Sequence, residues 1–235
     1  MLFARQFDFS RTLAHAARRL SAVRALRPVP ELMRQPQPPT ESPKLLETVS
    51  NISTALHRMS DGDRADIVRA MQRIIPGLLD VRALAAGRYL TLSFTQSLDA
   101  ERRPEFAATE MSDGALRALA VVVAAQQMSR DELLVIEEPE VNLHPGAADV
   151  VYDVLHRASR KGAVLVTTHS PELLDRAKDD EILVCEYVRG VTRVGPLAQA
   201  QRDLVREGLF STAERMRSEE LRREGAEPRV VQDAL

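Results

Sequence analysis

The sequence has 235 residues, 44% of them apolar and 28% charged, which is typical of a folded globular domain and excludes a largely disordered chain. A formal net charge of −2 excludes a bulk electrostatic attraction to nucleic acid. The longest apolar run, 118–125, is far shorter than the roughly 18 residues that cross a bilayer, and the single cysteine, Cys185, excludes an internal disulfide. We therefore expect a cytoplasmic protein with no membrane partner.

The first 43 residues divide into a basic arm and a proline-rich linker. Residues 11–26 are rich in Ala and Arg and carry apolar residues at broadly helical spacing. Six of the thirteen prolines follow between 28 and 43, a composition that does not sustain a helix or a central strand. We predict an N-terminal arm over 1–27 and a linker over 28–43.

Two helices and one strand are predicted next. Apolar residues at helical spacing predict a helix over 45–59. A second helix begins after Ser60, whose side chain can cap it, and stops at Pro76-Gly77. The alternating pattern of residues 89–94 predicts a half-buried strand.

From residue 114 onward, helices alternate with short apolar strands. Their predicted bounds are 114–128 (helix), 133–136 (strand), 147–158 (helix) and 163–167 (strand). Strands that are apolar on both faces indicate a parallel sheet covered by helices, and the fold class is therefore α/β. We also predict a hairpin over 182–194 at one edge of this sheet and a charged helical tail over 200–235.

Carboxylates follow the first of these strands directly. Glu137 and Glu138 come after the apolar residues 133–136, and ligands bind at the carboxyl ends of parallel strands. Neighbouring residues of a strand point to opposite sides, so one carboxylate can hold Mg²⁺ while the other orients an attacking water. A solvated acidic turn accounts for the same residues equally well.

Two further segments carry polar groups that can bind phosphate. His169 follows the second strand, where an imidazole can donate to a phosphate oxygen, although a lone histidine there is more often structural. Ser112, Asp113 and Gly114 open the long apolar helix, whose N-terminal N–H groups can bind an anion. An ordinary helix cap explains this tripeptide as well.

Taken together, four segments resemble the C-terminal lobe of ABC-type ATPases of the SMC/RecF-like AAA group. They are similar, in chain order, to the signature motif (Ser112-Asp113-Gly114), the Walker B strand with its catalytic glutamate (Glu137-Glu138-Pro139-Glu140), the D-loop (Asn142-Leu143-His144-Pro145) and the switch histidine (Thr167-Thr168-His169-Ser170-Pro171). The resemblance implies a P-loop NTPase-type fold over 44–199, with ATP and Mg²⁺ as cofactors.

The resemblance also implies a role for each site residue. Glu138 would be the general base for the hydrolytic water, His169 would sense the γ-phosphate, and Glu137, which stands where Asp is more usual, would hold Mg²⁺. Ser112 and Gly114 would contact the γ-phosphate of a nucleotide held by another protomer. The implied nucleotide-binding set consists of Ser112, Asp113, Gly114, Asn142 and His144.

One part of the family pattern is missing from the sequence. Its three lysines, Lys44, Lys161 and Lys178, are followed by Leu, Gly and Asp, so the sequence contains no Gly-Lys-Ser/Thr phosphate loop. We therefore expect the chain to lack the N-terminal Walker A lobe, as a fragment, a split-gene half or a decayed paralogue. ATP hydrolysis is then expected only when that lobe is supplied in trans.

The resemblance implies a second copy or a complementing ATPase subunit as partner. It also implies a role in DNA repair or phage defence, in a pathway where DNA or a nuclease is a further partner. A non-catalytic remnant that binds a partner through the arm and tail is the alternative. A third interpretation, a metal-dependent phosphoesterase, would use Glu137, Glu138, Glu140 and His144, but it lacks ligands spread over several strands.

Overall fold

The computed structural model of the chain describes residues 22–206, 211, 212, 214, 216 and 221–226. The chain divides into two compact units, the first ending at Thr168 and the second beginning at His169. Most of the predicted arm and most of the predicted tail after residue 206 lie outside the described residues. No described helix is both long enough and apolar enough to cross a bilayer.

The first unit contains two sheets and five helices in its described part. Its strands are β1 (Val23–Leu26), β2 (Leu78–Ala86), β3 (Tyr89–Gln96), β4 (Glu105–Ala107), β5 (Leu133–Glu137) and β6 (Ala163–Thr167). Its helices are α1 (Pro30–Met33), α2 (Ile52–His57), α3 (Asp61–Gln72), α4 (Asp113–Gln126) and α5 (Pro145–Ala158), with a 3₁₀ turn at Ala108–Glu110.

A parallel sheet in the order β1-β5-β6 confirms the predicted α/β, P-loop NTPase-type fold. Helices flank this sheet, and β2, β3 and β4 form a separate antiparallel sheet. The predicted bounds of β3, α4, β5, α5 and β6 are confirmed to within a few residues. These segments carry the least ambiguous apolar patterns of the sequence.

Strand β1 corrects the helical prediction for the end of the basic arm. Its four residues pair in parallel with β5, in a register that sets Leu26 opposite Ile136, and Leu26 is buried. Pairing with a distant strand overrides the local helical spacing here. Val23–Leu26 are therefore a strand, not part of a helix.

The helix predicted over 45–59 is shorter than expected, because only Ile52–His57 is helical. Val49 has a left-handed backbone, with φ of 63°, which ends any helix that comes before it. Asn51 then takes over the hydrogen bonding of the segment: its Oδ1 accepts from the Leu46 N–H at 2.9 Å, and its Nδ2 donates to the Lys44 carbonyl at 2.8 Å. A side chain thus replaces the helical backbone bonds.

Helix α1 and strand β2 are among the elements that were not predicted. The proline-rich segment contains the one-turn helix α1, in which Pro30 occupies the first position, where a backbone N–H is not needed. Strand β2 lies in an Ala- and Arg-containing stretch without clear alternation, and it is fixed by its antiparallel pairing with β3. Both depend on tertiary contacts that local spacing does not encode.

Helix α4 lies at the centre of the first unit. Every residue of 114–125 except Arg117 is buried, and the helix contacts α1, α2, α3 and α5. Burying a helix on all sides requires a sequence with almost no polar positions, which the Ala/Val/Leu run supplies. The main hydrophobic core is therefore built around this helix.

A buried charge cluster lies beside the start of β5. The Glu132 side chain is only 4% exposed; its Oε1 lies 2.6 Å from Nε of Arg24 and its Oε2 lies 3.3 Å from Nζ of Lys44. Ser129 donates to Oε2 from both its N–H and its hydroxyl. Burial alone would raise the pKa of Glu132, but these hydrogen bonds and the two cations together lower it below its ordinary value.

The second unit consists, in its described part, of α6 (Pro171–Arg176), β7 (Leu183–Val188), β8 (Val191–Pro196) and α7 (Gln199–Arg206). The predicted hairpin is confirmed, with its turn at Arg189-Gly190. Its expected place at the edge of the parallel sheet is wrong, because β7 and β8 form a two-stranded sheet of their own. Residues 221–226 are not helical. Within them, Arg223 forms an isolated antiparallel β-bridge with Leu197.

We predict that Glu132→Gln lowers the free energy of unfolding by about 3 kcal/mol near neutral pH, because it leaves the buried Arg24 guanidinium without its counter-charge. The lowered pKa means that the carboxylate stabilises the fold above its ordinary value of 4.5, and that this stabilisation is lost as the pH falls below it. Urea denaturation between pH 3 and pH 7 measures both effects.

The matched control is Glu105→Gln, which removes an exposed ion pair with Arg82 and should cost less than about 1 kcal/mol. Equal losses for the two variants, or an unchanged acid-side slope in Glu132→Gln, would contradict a stabilising role for the buried cluster.

Candidate functional site

The N-terminus of α4 is formed by the predicted signature segment. Ser112 has an extended backbone and caps the helix, because its Oγ accepts from the Ala115 N–H at 3.2 Å. Ser112 itself is exposed, whereas Gly114, two residues later, is buried. The first turn of the helix therefore places the exposed Ser112 hydroxyl beside backbone N–H groups that have no partner within the helix.

Gly114 brings the signature segment against the predicted D-loop. A Cβ atom built on Gly114 would lie 2.1 Å from the backbone oxygen of Asn142 and 3.3 Å from Cδ2 of Leu143. The Asn142 backbone is left-handed, with φ of 64°, which turns its carbonyl group at this point of contact. Only glycine allows the two backbones to approach this closely.

Arg34 holds the signature segment from another direction. Its Nη2 donates to the Met111 carbonyl at 2.9 Å and lies 2.5 Å from Oδ1 of Asp113. One guanidinium nitrogen thus binds the residues on both sides of Ser112. The sequence analysis did not identify Arg34, and no local signal points to it, since its partners lie almost eighty residues further along the chain.

Glu137 and Glu138 lie at the carboxyl end of β5, as predicted, and both are exposed. Glu137 is paired in register with Thr167 on β6. Glu138 leaves the strand with a left-handed φ of 42°, and its N–H donates to the Thr167 carbonyl at 2.8 Å. Because β5 ends at Glu137 and the chain turns at Glu138, the Glu138 side chain does not follow the strand alternation that was predicted.

Glu140 connects the segment after β5 to the end of β6. The Thr168 hydroxyl donates to Oε1 of Glu140, while Oε2 of Glu140 is buried and has no hydrogen-bond partner among the described residues. His144 caps α5, because its Nδ1 accepts from the Gly146 N–H at 3.3 Å. The structure thus gives His144 a helix-capping contact.

His169 is exposed and is the first residue of the second unit. It is followed by Ser170, whose Oγ accepts from the Leu173 N–H at 3.3 Å and caps α6. The residues that the structure brings together in the first unit are therefore the signature segment with Asn142, and Glu137 and Glu138 with the end of β6.

The exposed carboxylates fit Mg²⁺ by their chemistry. Magnesium prefers oxygen ligands and commonly uses one or two protein carboxylates together with phosphate oxygens and waters. Across the described ranges, no group of three or more His, Cys, Asp or Glu side chains converges on one point. The described residues therefore do not form the all-protein metal site that the phosphoesterase interpretation requires.

Comparisons with known proteins were made for the whole sequence. The profile of a protein family described as "AAA domain, putative AbiEii toxin, Type IV TA system" matches residues 3–175. A curated relative, the ABC transporter A family member 8 of Arabidopsis thaliana, is 34% identical over 64 residues. That match spans 27% of this chain and 7% of the transporter.

The chain is also similar to solved SMC structures. One comes from work on the ATP-driven dimerization and DNA-stimulated activation of SMC ATPases, with a TM-score of 0.48 and 16% identity, over 63% of this chain and 90% of that chain. Another is the Smc head domain of Pyrococcus furiosus bound to the C-terminal domain of ScpA, with a TM-score of 0.47 and 16% identity, over 63% and 37% of the two chains.

We predict that Gly114→Ala lowers the free energy of unfolding by about 1 to 3 kcal/mol, because the new methyl group would overlap the Asn142 carbonyl. Gly146→Ala is the matched control: it occupies the same second position of α5, and its Cβ would lie 3.7 Å from the nearest atom, Nδ1 of His144.

The control substitution should stabilise the chain by up to about 1 kcal/mol, since alanine favours the helix more than glycine does. Thermal and urea unfolding of both variants measure the difference. A neutral Gly114→Ala would show that the contact between the two segments is loose.

Proposed function

Because the chain belongs to the AAA domain family described as putative AbiEii toxin, Type IV TA system, we propose that this ATPase-like domain binds a nucleotide phosphate at the N-terminus of α4. The signature-like residues Ser112 and Gly114 would contact the γ-phosphate of a nucleotide whose remaining contacts come from another protein chain. The proposed function is thus one part of a composite ATPase site of the SMC/RecF-like type.

The contact of Gly114 with Asn142 is the observation that carries this proposal. It sets the first turn of α4 beside the turn at Asn142, so two of the four motif segments meet at backbone distance. Backbone N–H groups at a helix N-terminus favour an anion through hydrogen bonding and through the helix dipole. The exposed Ser112 hydroxyl adds a donor at the same end.

The catalytic assignments are part of the same proposal. Glu138 would accept a proton from the hydrolytic water, and its exposure leaves the carboxylate accessible to a water. Glu137 would hold Mg²⁺, which supplies charge neutralisation for phosphoryl transfer when bound. His169 would donate to the γ-phosphate. The Asn142 and His144 segment would complete the nucleotide-binding set.

Partners and pathway are proposed at a coarser level. The absence of a Gly-Lys-Ser/Thr loop in the sequence supports a requirement for a Walker A lobe in trans from a complementing subunit, since a second copy would lack the same loop; self-association is proposed beside it. We propose a cytoplasmic role in DNA repair or phage defence, with DNA or a nuclease as a further partner. The type IV toxin–antitoxin description of the family supports the phage-defence part.

A non-catalytic, partner-binding protein is the second candidate. It is favoured by one face of the β7–β8 hairpin, where Leu183, Tyr187 and Val194 are 58%, 77% and 60% exposed. Side chains of this kind on a sheet face are typical of protein contacts. This function would leave the α4 N-terminus without a ligand, so one experiment separates the two candidates.

We predict that ATP with Mg²⁺ binds the isolated chain weakly, in about the millimolar range, because the group that clamps the β- and γ-phosphates is missing. In ¹⁵N-labelled protein, the amide resonances of residues 112–115 should shift as ATP is added. Ser112→Phe, an uncharged bulky side chain that fills the space next to the cap, should abolish these shifts, while Ser159→Phe, at the distant C-cap of α5, should leave them intact.

Shifts that are absent at 10 mM ATP, or that are confined to other residues, would contradict the phosphate site and favour the partner-binding candidate. The titration uses the chain alone and requires no knowledge of the complementing subunit.

We further predict that the isolated chain does not turn over ATP, and that turnover appears when a Walker A lobe is supplied. Glu138→Gln should then retain nucleotide but lose hydrolysis, because the amide keeps its shape and cannot accept the proton. Phosphate release and bound nucleotide, measured on one preparation, test both parts. Turnover by the chain alone, abolished by Glu138→Gln, would contradict the requirement for a second lobe.

A further inference from the structure

Arg34 is a cation that the structure places directly on the signature-like segment. Its Nη2 bridges the Met111 carbonyl and the Asp113 carboxylate, the groups on either side of Ser112. The Arg34 side chain is 23% exposed and that of Asp113 is 42% exposed, so the pair lies at the edge of the site. The resemblance to known ATPases assigns no role to this arginine.

The position of Asp113 creates an electrostatic conflict with an anionic ligand. Asp113 is the first residue of α4, where a carboxylate is favourable for the helix because it meets the positive end of the helix dipole. A phosphate bound at the same end would be repelled by that carboxylate. The ion pair with Arg34 cancels the charge of Asp113 and holds its carboxylate beside α1.

We propose that Arg34 is a positioning residue that makes the α4 N-terminus acceptable to a phosphate, by neutralising Asp113 and fixing the backbone on both sides of Ser112. This inference rests on the proposed function. The net charge of the Arg34–Asp113 pair sets the affinity of the site for the nucleotide. The nucleotide itself need not touch Arg34.

The test is a charge series measured with ATP and Mg²⁺ on the ¹⁵N-labelled chain, following the amides of residues 112–115. The pair is neutral in the wild type, negative in Arg34→Ala, positive in Asp113→Asn and neutral again in the double variant. Two like unit charges a few ångströms apart, screened as strongly as in bulk water, change a binding constant on the order of fivefold, and weaker screening makes the change larger. Binding should therefore be about fivefold weaker in Arg34→Ala, about fivefold tighter in Asp113→Asn, and close to wild type in the double variant.

Three controls separate this effect from a loss of structure. Arg34→Gln keeps an N–H donor for the Met111 carbonyl but lacks the charge, and it should bind as weakly as Arg34→Ala. Arg73→Ala removes an exposed ion pair with Asp153 and should leave the affinity unchanged. The differences within the series should shrink as the salt concentration rises, because exposed charges are screened.

The outcomes are distinct. A wild-type chain that shows no shifts overturns the proposed function and this inference with it. A wild-type chain that binds, with Arg34→Ala or Arg34→Gln binding equally well, overturns this inference alone. A double variant that binds as weakly as Arg34→Ala also overturns it, since the arginine then acts through its own contact or through the fold rather than by neutralising Asp113.

Discussion

The all-round burial of α4 is the constraint on which the first unit depends. With twelve consecutive positions, 114–125, enclosed except at Arg117, the helix has no free face along its length, and its neighbours must accommodate its position. Apart from Arg117, polar contacts of α4 are then confined to the two ends of the helix. The N-terminal end contacts Arg34 and Asn142. At the C-terminal end, the side-chain amide of the C-cap residue Gln127 donates to the Pro43 carbonyl and accepts from the Leu45 N–H. The core and the candidate site are therefore consequences of the same helix.

The sequence was sufficient wherever the apolar pattern of one segment decided the structure. Helix α4 is of this kind, because it is apolar enough to be buried whatever surrounds it. Strands β5 and β6 were likewise recognised from their apolar runs, although alternate residues of β6, Leu165 among them, are exposed. The bounds of α2, and the existence of β1 and β2, could not be predicted, because the Asn51 side chain and the pairing with distant strands decide them. The motif residues were recognisable in the sequence. Their contacts were not, since the approach of Gly114 to Asn142 joins segments that have no local relationship.

Backbone geometry, more than side-chain contact, shapes the candidate site. Glu138 and Asn142 both have left-handed backbones, which cost about 1 to 3 kcal/mol for residues other than glycine unless neighbouring structure holds them. The Glu138 N–H is held by the Thr167 carbonyl, and the Asn142 carbonyl is packed against Gly114. In a site built in this way, Glu137 and Glu138 stay exposed at the end of β5.

The strand order β1-β5-β6 also affects how the chain folds during its synthesis. Among the described strands, β1 pairs with β5, which lies more than a hundred residues later in the chain. At a synthesis rate of about 5 to 20 residues per second, β1 leaves the ribosome roughly 5 to 20 seconds before its partner strand exists. During that interval the segment around Leu26 cannot reach its buried place, and the nascent chain exposes an unpaired strand edge. Folding of the parallel sheet is thus tied to the completion of β5, and nascent-chain aggregation should be most sensitive to the sequence of β1.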